Sequence, residues 1–262
     1  MIRLLVLCLL LALPARAETL RLAATTSFEN SGLAAHLLPR IERDAGVEVR
    51  LLVVGTGQAL RLGAAGDVDA VLVHDPGAEA AFVAEGHAAR RTEVMFNDFV
   101  LVGPVGDPAG VAGAADAAAA LARIAAAGMP FVSRGDDSGT HKAELRLWAA
   151  AGIAPEGGWY RPVGAGMGAA LVTAAGMGAY ALSDRASWLA FGAKDGMALL
   201  LEGDPALHNQ YSYLPVAPDR HPHVAAEAAE AVEAWLVSPE GQAAINGYRV
   251  AGARLFTGNA AR

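Results

Sequence analysis

The 262-residue chain carries a single cysteine, Cys8. One cysteine excludes a disulfide framework, so the fold must rest on its apolar core. Positive charge is also scarce: 20 Lys and Arg stand against 27 Asp and Glu, a formal net charge of −7. An acidic chain repels nucleic acid and anionic membranes, and no nucleic-acid partner is expected. Apolar runs long enough to span a bilayer are missing. There is no Gly-x-Ser-x-Gly nucleophile elbow and no repeat at a fixed period. The seven histidines, His36, His74, His87, His141, His208, His221 and His223, never pair at i, i+4 beside a carboxylate. We therefore expect surface histidines and no protein-ligated cation.

The N-terminus, MIRLLVLCLLLALPARAET, has a short basic head at Arg3, an apolar run from Ile2 to Leu13 and a small-x-small site at Ala15-Arg16-Ala17. This is the pattern of a secretory signal peptide over residues 1–17, cut after Ala17. The run is too short to be a transmembrane helix. Cleavage removes Cys8, Arg3 and Arg16, leaving 18 basic against 27 acidic residues, or −9. The expectation is a soluble protein exported to the periplasm.

Beyond the leader, apolar runs alternate with helical patterns. Strand-like LRLAAT (Leu20–Thr25) precedes a helix with Leu33, Leu37 and Ile41 on one face, ending at Gly46. The runs VEVRLLVVG and VDAVLVHD repeat the theme. A long extended segment, Glu93–Pro104, interrupts it. The alternation then restarts with a helix over Asp116–Ala127, the strand PFVS, a helix over Ser138–Ala151, and the strand GAYALSD before a helix through Trp188 and Phe191. A second extended run, His208–Pro218, leads to one last helix, Ala225–Leu236. Strands alternating with helices imply an α/β fold with parallel pairing. Two blocks joined by two extended crossings imply two lobes: residues 18–97 with 212–262, and residues 98–211. Their hinge falls near 95–102 and 208–216.

Open α/β sheets bind ligands beyond the carboxyl ends of their strands. Four such junctions here share one chemistry. They are Thr25-Thr26-Ser27, Gly55-Thr56-Gly57, Ser133-Arg134 followed by Ser138-Gly139-Thr140, and Gly164-Ala165-Gly166-Met167-Gly168. Each offers free N–H groups at a helix start, with glycines or hydroxyls that admit a ligand closely. Any one of them alone reads as an ordinary N-cap. Four together with the single guanidinium of Arg134 read as a cradle for one small anion. Asp136 and Asp137 read as caps or orienters of Arg134. The expected contacts are Thr26, Ser27, Thr56, Gly57, Ser133, Arg134, Ser138, Gly139 and Thr140, with Thr25, Gly166, Met167 and Gly168 as further candidates. Gly164-x-Gly166-x-x-Ala169, with Asp184 twenty residues past Gly164, also fits a dinucleotide fingerprint. An exported nucleotide-dependent oxidoreductase is thus an alternative, although an exported protein has little access to NAD.

The segments TTSFENSGL, VGTGQALRLGAAGDVDAVLVHDP, MFNDFVLVGP, FVSRGDDSGTHKAELRLW and WLVSPEGQAAINGYRVAGARLF together resemble the periplasmic tungstate-binding proteins of ABC importers. The resemblance spans about residues 19–257. It implies a type II periplasmic-binding fold, with two open mixed sheets joined by a two-strand hinge. It implies an oxyanion, tungstate or also molybdate, in the cleft, membrane permease subunits as partners, a monomer, no cofactor and no catalysis. Matching positions are Thr25, Thr26, Ser27, Thr56, Gly57, Ser133, Arg134, Ser138, Gly139 and Thr140. Ala24 and Phe28 depart from the expected first-loop threonines. The arginine-to-threonine spacing also resembles phosphate-binding proteins, so a phosphate or sulfate binder is a further alternative.

Overall fold

The computed structural model describes residues 18–250 and 252–260. The expected leader lies outside the described residues. The first apolar run forms β1 (Glu18–Thr25), followed by a single turn, α1 (Thr26–Asn30), and by α2 (Leu33–Ala45), which runs on through Pro39 and ends at left-handed Gly46. Next come β2 (Val47–Val54), α3 (Thr56–Ala65), β3 (Ala70–Val73) and α4 (Pro76–Ala84). The long strand β4 (Thr92–Pro104) precedes α5 (Ala117–Ala126), β5 (Phe131–Ser133), α6 (Gly139–Ala150) and β6 (Tyr160–Pro162). The second half continues with α7 (Met167–Met177), β7 (Tyr180–Asp184), α8 (Arg185–Ala190) and β8 (Met197–Leu201). Then β9 (His208–Pro215) returns, followed by α9 (Ala226–Val237) and α10 (Pro239–Gly247).

The strand order is β2-β1-β3-β9-β4-β7-β5-β6. β1 lies parallel to both β2 and β3, while β5 lies parallel to β6 and β7, as helical crossovers require. The two long strands run antiparallel to each other, with Phe96 opposite Gln210. β4 serves both halves of the sheet. Its residues Thr92–Asp98 pair with β9, and Phe99–Val102 pair with β7.

Each half has its own core. One gathers Leu20, Leu22, Phe28, Leu37, Tyr213 and Trp235. The other gathers Phe99, Leu101, Leu121, Phe131, Trp148 and Leu182. The α/β, mixed-sheet expectation holds, and the two sheets share β4 as a continuous strand. Of the elements that went unexpected, two bear on the sheet and the C-terminal helices. β8 pairs with β4 from Leu101 to Pro104. α9 is not the last helix: α10 follows directly, with Pro239 at its first turn and Ser238 Oγ accepting from the Gly241 N–H at 3.0 Å. No helix among the described residues is long and apolar enough to cross a membrane.

Candidate functional site

All four junctions singled out in the sequence stand at helix starts. Thr25 precedes α1, Gly55 precedes α3, Ser138 precedes α6 and Gly166 precedes α7. Ser138 caps its helix, accepting from the His141 N–H at 3.3 Å. Between the two halves of the sheet lies a cavity of about 310 Å³. One wall is Thr26, Ser27 and Asn30. The other comprises Arg134, Asp136, the turn from Gly164 to Met167, Asp184 and Ser187.

Arg134 is the one cation on these walls, and it is largely buried. Its guanidinium pairs with Asp136, while its Nε has no partner among the described residues. Asp136 also accepts from the Ser138 N–H at 3.2 Å. Burial pulls the Asp136 carboxyl up, but hydrogen bonding with Ser138 and the charge of Arg134 overcome it and hold it below the usual range. So Asp136 orients Arg134 while both edge the cavity. Asp184, at the end of β7, accepts from the Ser187 N–H at 2.8 Å and caps α8. Burial pushes its carboxyl up, against the opposing pull of Ser187 and Arg134.

On the facing wall the hydroxyls form a cluster. Thr25 Oγ1 lies 3.0 Å from Ser27 Oγ, which lies 2.8 Å from the Tyr211 hydroxyl and 3.1 Å from His74 Nε2. His74 packs its ring against Tyr211, centroids 4.6 Å apart. It is 4% exposed, so the expectation of a surface histidine is corrected here. Burial lowers its pKa to about 4, which keeps the ring neutral at physiological pH. His74 sits at the exit of β3, where the first turn of α6 covers it. A β-carbon on Gly139 would overlap His74 Cε1 and stand 2.6 Å from Nδ1. Any side chain there would have to push the ring or the start of α6 aside.

The sequence-predicted residues therefore divide. Thr26, Ser27, Arg134, Gly166 and Met167 line the cavity. Thr25 lies just behind Ser27. Thr56, Gly57, Ser138, Gly139 and Thr140 lie beside the cavity rather than on its walls, where the starts of α3 and α6 meet. A β-carbon on Gly57 would stand 3.2 Å from the Asp137 carboxylate. Thr56 and Thr140 are buried there, and Thr56 Oγ1 has no partner among the described residues. Ser133 is fully buried with its hydroxyl beside Glu144 and Tyr160, away from the walls. Gly168 is exposed on α7, one residue past Met167.

Sequence reasoning passed over Asn30 and Ser187 as wall residues, and His74 and Tyr211 as their support. The dinucleotide fingerprint does lie between a strand and a helix, β6 and α7. Its acidic residue, Asp184, is spent on capping α8 instead.

A PBP superfamily domain matches residues 13–240. The chain is 46% identical over 245 residues to the tungstate-binding protein TupA of Peptoclostridium acidaminophilum, covering 92% of this chain and 86% of that one. It is also 46% identical over 250 residues to a putative ABC transporter anion-binding protein of Haloferax volcanii, covering 93% and 72%. The solved structure of the tungstate-binding protein TupA from Desulfovibrio alaskensis superimposes with a TM-score of 0.84 at 44% identity, covering 94% of this chain and all of that one. These matches cover nearly the whole chain, and the chain belongs to the PBP superfamily, in the same family as these TupA proteins.

Proposed function

We propose that this chain is the solute-binding protein of an ABC importer, which captures tungstate, or molybdate beside it, as a tetrahedral dianion and delivers it to the membrane permease. The observation that carries this reading is Arg134. It is the one cation on the cavity walls, mostly withdrawn from water, with a guanidinium N–H left without a partner among the described residues. A charge-assisted hydrogen bond contributes roughly 1.5–3 kcal/mol, against about 1 for a neutral one. Opposite it stand neutral hydroxyls and amides, which can replace the water shell of an anion without adding fixed charge. The names of the relatives support an oxyanion, and tungstate in particular.

In this reading residues 18–97 with 212–262 form one lobe and residues 98–211 the other. They close about the stretch where β4 changes partner from β9 to β7. Thr56 and Ser138–Thr140 join the contact as the lobes tighten. The protein acts in the periplasm after losing residues 1–17, as a monomer, and binds without catalysing a reaction.

Titration calorimetry with tungstate, molybdate, phosphate, sulfate and NADH tests the reading. Tungstate and molybdate should bind and displace each other. Phosphate, sulfate and NADH should give little heat. Arg134→Ala should weaken tungstate binding by roughly 2–3 kcal/mol while leaving the melting temperature of the free protein near wild type. Binding of phosphate alone, or an Arg134→Ala variant with unchanged affinity, would sink it.

A further inference from the structure

Three charged side chains line the cavity: Arg134, Asp136 and Asp184. Arg134 and Asp136 pair and offset each other. Asp184 is left over. It is 2% exposed, and no ion pair reaches it among the described residues. The cation next to it in the chain, Arg185, is committed elsewhere, donating to Asp98 at 2.8 Å and standing 2.6 Å from Glu202. With both wall carboxyls ionised, one cation faces two anions. An arriving dianion then meets like charge on a buried group that water cannot screen, and such a group neutralises by taking a proton.

Which carboxyl takes it follows from what each already does. Asp136 is held by the Arg134 guanidinium and the Ser138 N–H, and protonation would weaken the first of these. Asp184 loses nothing. Its Oδ1 goes on accepting from the Ser187 N–H at 2.8 Å, while the other oxygen carries the proton and becomes a donor. The groups around it are otherwise fixed. Arg134 and Asp136 face it from the loop after β5, and Asp98 of β4 is taken up by Arg185. Tyr211 faces it from β9, and burial keeps that hydroxyl protonated. On α1, Thr26, Ser27 and Asn30 do not titrate and Glu29 is exposed; the turn from Gly164 to Met167 carries no titratable side chain. His74, behind Ser27, is held neutral by burial. In the free protein burial already pushes the Asp184 carboxyl up, against the pull of Ser187 and Arg134, and a bound anion adds to that push.

We infer that the oxyanion is bound together with one proton, taken from solvent by Asp184 on the cavity wall, so that capture of the ion is coupled to pH. The inference rests on the oxyanion-binding reading and deepens it: the proton is part of what the site holds. The sign follows from linkage. A carboxyl with a higher pKa in the bound state than in the free state favours binding when protonated. Affinity is therefore complete at low pH and falls as pH rises past the free-state value, by up to about tenfold per pH unit.

Titration calorimetry of the protein with sodium tungstate, from about pH 6 to about pH 9 in pairs of buffers with different ionisation heats, counts the protons. Tungstate itself is a dianion throughout this range. Wild type should take up at least about half a proton per ion within it, and its affinity should fall at least about fivefold toward the alkaline end. Asp184→Asn keeps an oxygen for the Ser187 N–H, so α8 stays capped. This variant should show neither uptake nor pH trend, and at the alkaline end it should bind tungstate more tightly than wild type. Asp136→Asn should bind more weakly at every pH yet keep the uptake. The melting temperature of each free variant checks that it folds, and the wild-type proton count stands whatever they show. Wild-type binding without proton uptake, or uptake that survives Asp184→Asn, overturns the inference while the binding function stands. No heat from wild type with tungstate at any pH fells both.

Discussion

Glu144 is a buried carboxyl that serves the fold of the second half of the sheet. Its Oε1 accepts from Trp148 Nε1 at 3.2 Å and from the Tyr160 hydroxyl at 2.8 Å. Burial pushes its pKa up to about 7, against the opposing pull of Ser133, Tyr160 and Trp148. A folded-state pKa raised above the unfolded value of 4.5 means that the folded protein holds this proton more tightly. The stability it contributes is complete below pH 4.5 and is lost as pH rises through about 7. Glu144→Gln keeps both donors supplied with an acceptor and removes the titration. We expect the difference in unfolding free energy between the variant and wild type to move by about 3 kcal/mol in favour of the variant between pH 4 and pH 8. Parallel denaturant titrations across that range measure it. A constant difference would mean that Glu144 titrates normally. The residue also steadies the cavity indirectly, because α6 carries Glu144 and Trp148 inside and Ser138–Thr140 at its start.

At the scale of elements, the start of α6 meets the exit of β3 across the two halves. Gly139 rests on the His74 ring, and Tyr211 backs that ring at 4.6 Å, so the histidine has no room to retreat. Gly139→Ala must push the start of α6 away. The core of each half is untouched, so the cost should stay near the roughly 1–3 kcal/mol of local overpacking. Tungstate affinity should fall at least about tenfold, because α6 and the adjoining Arg134 loop shift outward together. Wild-type affinity in calorimetry would show that α6 does not help to set the cavity. Much of this arrangement was legible in the sequence. The run at β3 is apolar throughout, and that at β7 is apolar as far as Leu182, because both strands are buried on both faces, while Thr25, Gly55, Ser138 and Gly166 mark four of the helix starts. What stayed hidden depends on distant pairing. Ser27 meets His74 and Tyr211 across 47 and 184 residues, and nothing beside His74 in the chain announces its burial. β8 is a short MALLL run whose partner, β4, lies far upstream. α10 is short and polar at its start, so the last apolar helix before it reads as the end of the fold.

At the scale of the molecule, the two halves also touch through charge. Asp75, just past β3, stands 3.8 Å from Lys142 Nζ and 3.6 Å from Arg146 Nη1, both on α6. Lys142 also lies 3.6 Å from Asp137. These are loose pairs on partly exposed side chains, each worth between nothing and about 1 kcal/mol, and salt screens them. They are too weak to decide which anion binds, but about 1 kcal/mol is enough to shift a closing equilibrium severalfold. Lys142→Ala with Arg146→Ala should therefore open the free protein, read as a larger radius of gyration in small-angle scattering. On the proposed reading, in which the bound oxyanion draws the two halves together, saturating tungstate should restore the wild-type radius. Apparent affinity should fall by no more than about fivefold, the conformational cost of an emptier closed state. Raising salt from low to molar concentration should open free wild-type protein in the same way and leave the double variant unchanged. If the variant keeps both the wild-type radius and the wild-type salt response, these cross-cavity charges do not hold the halves together, and the uncharged contacts between them do.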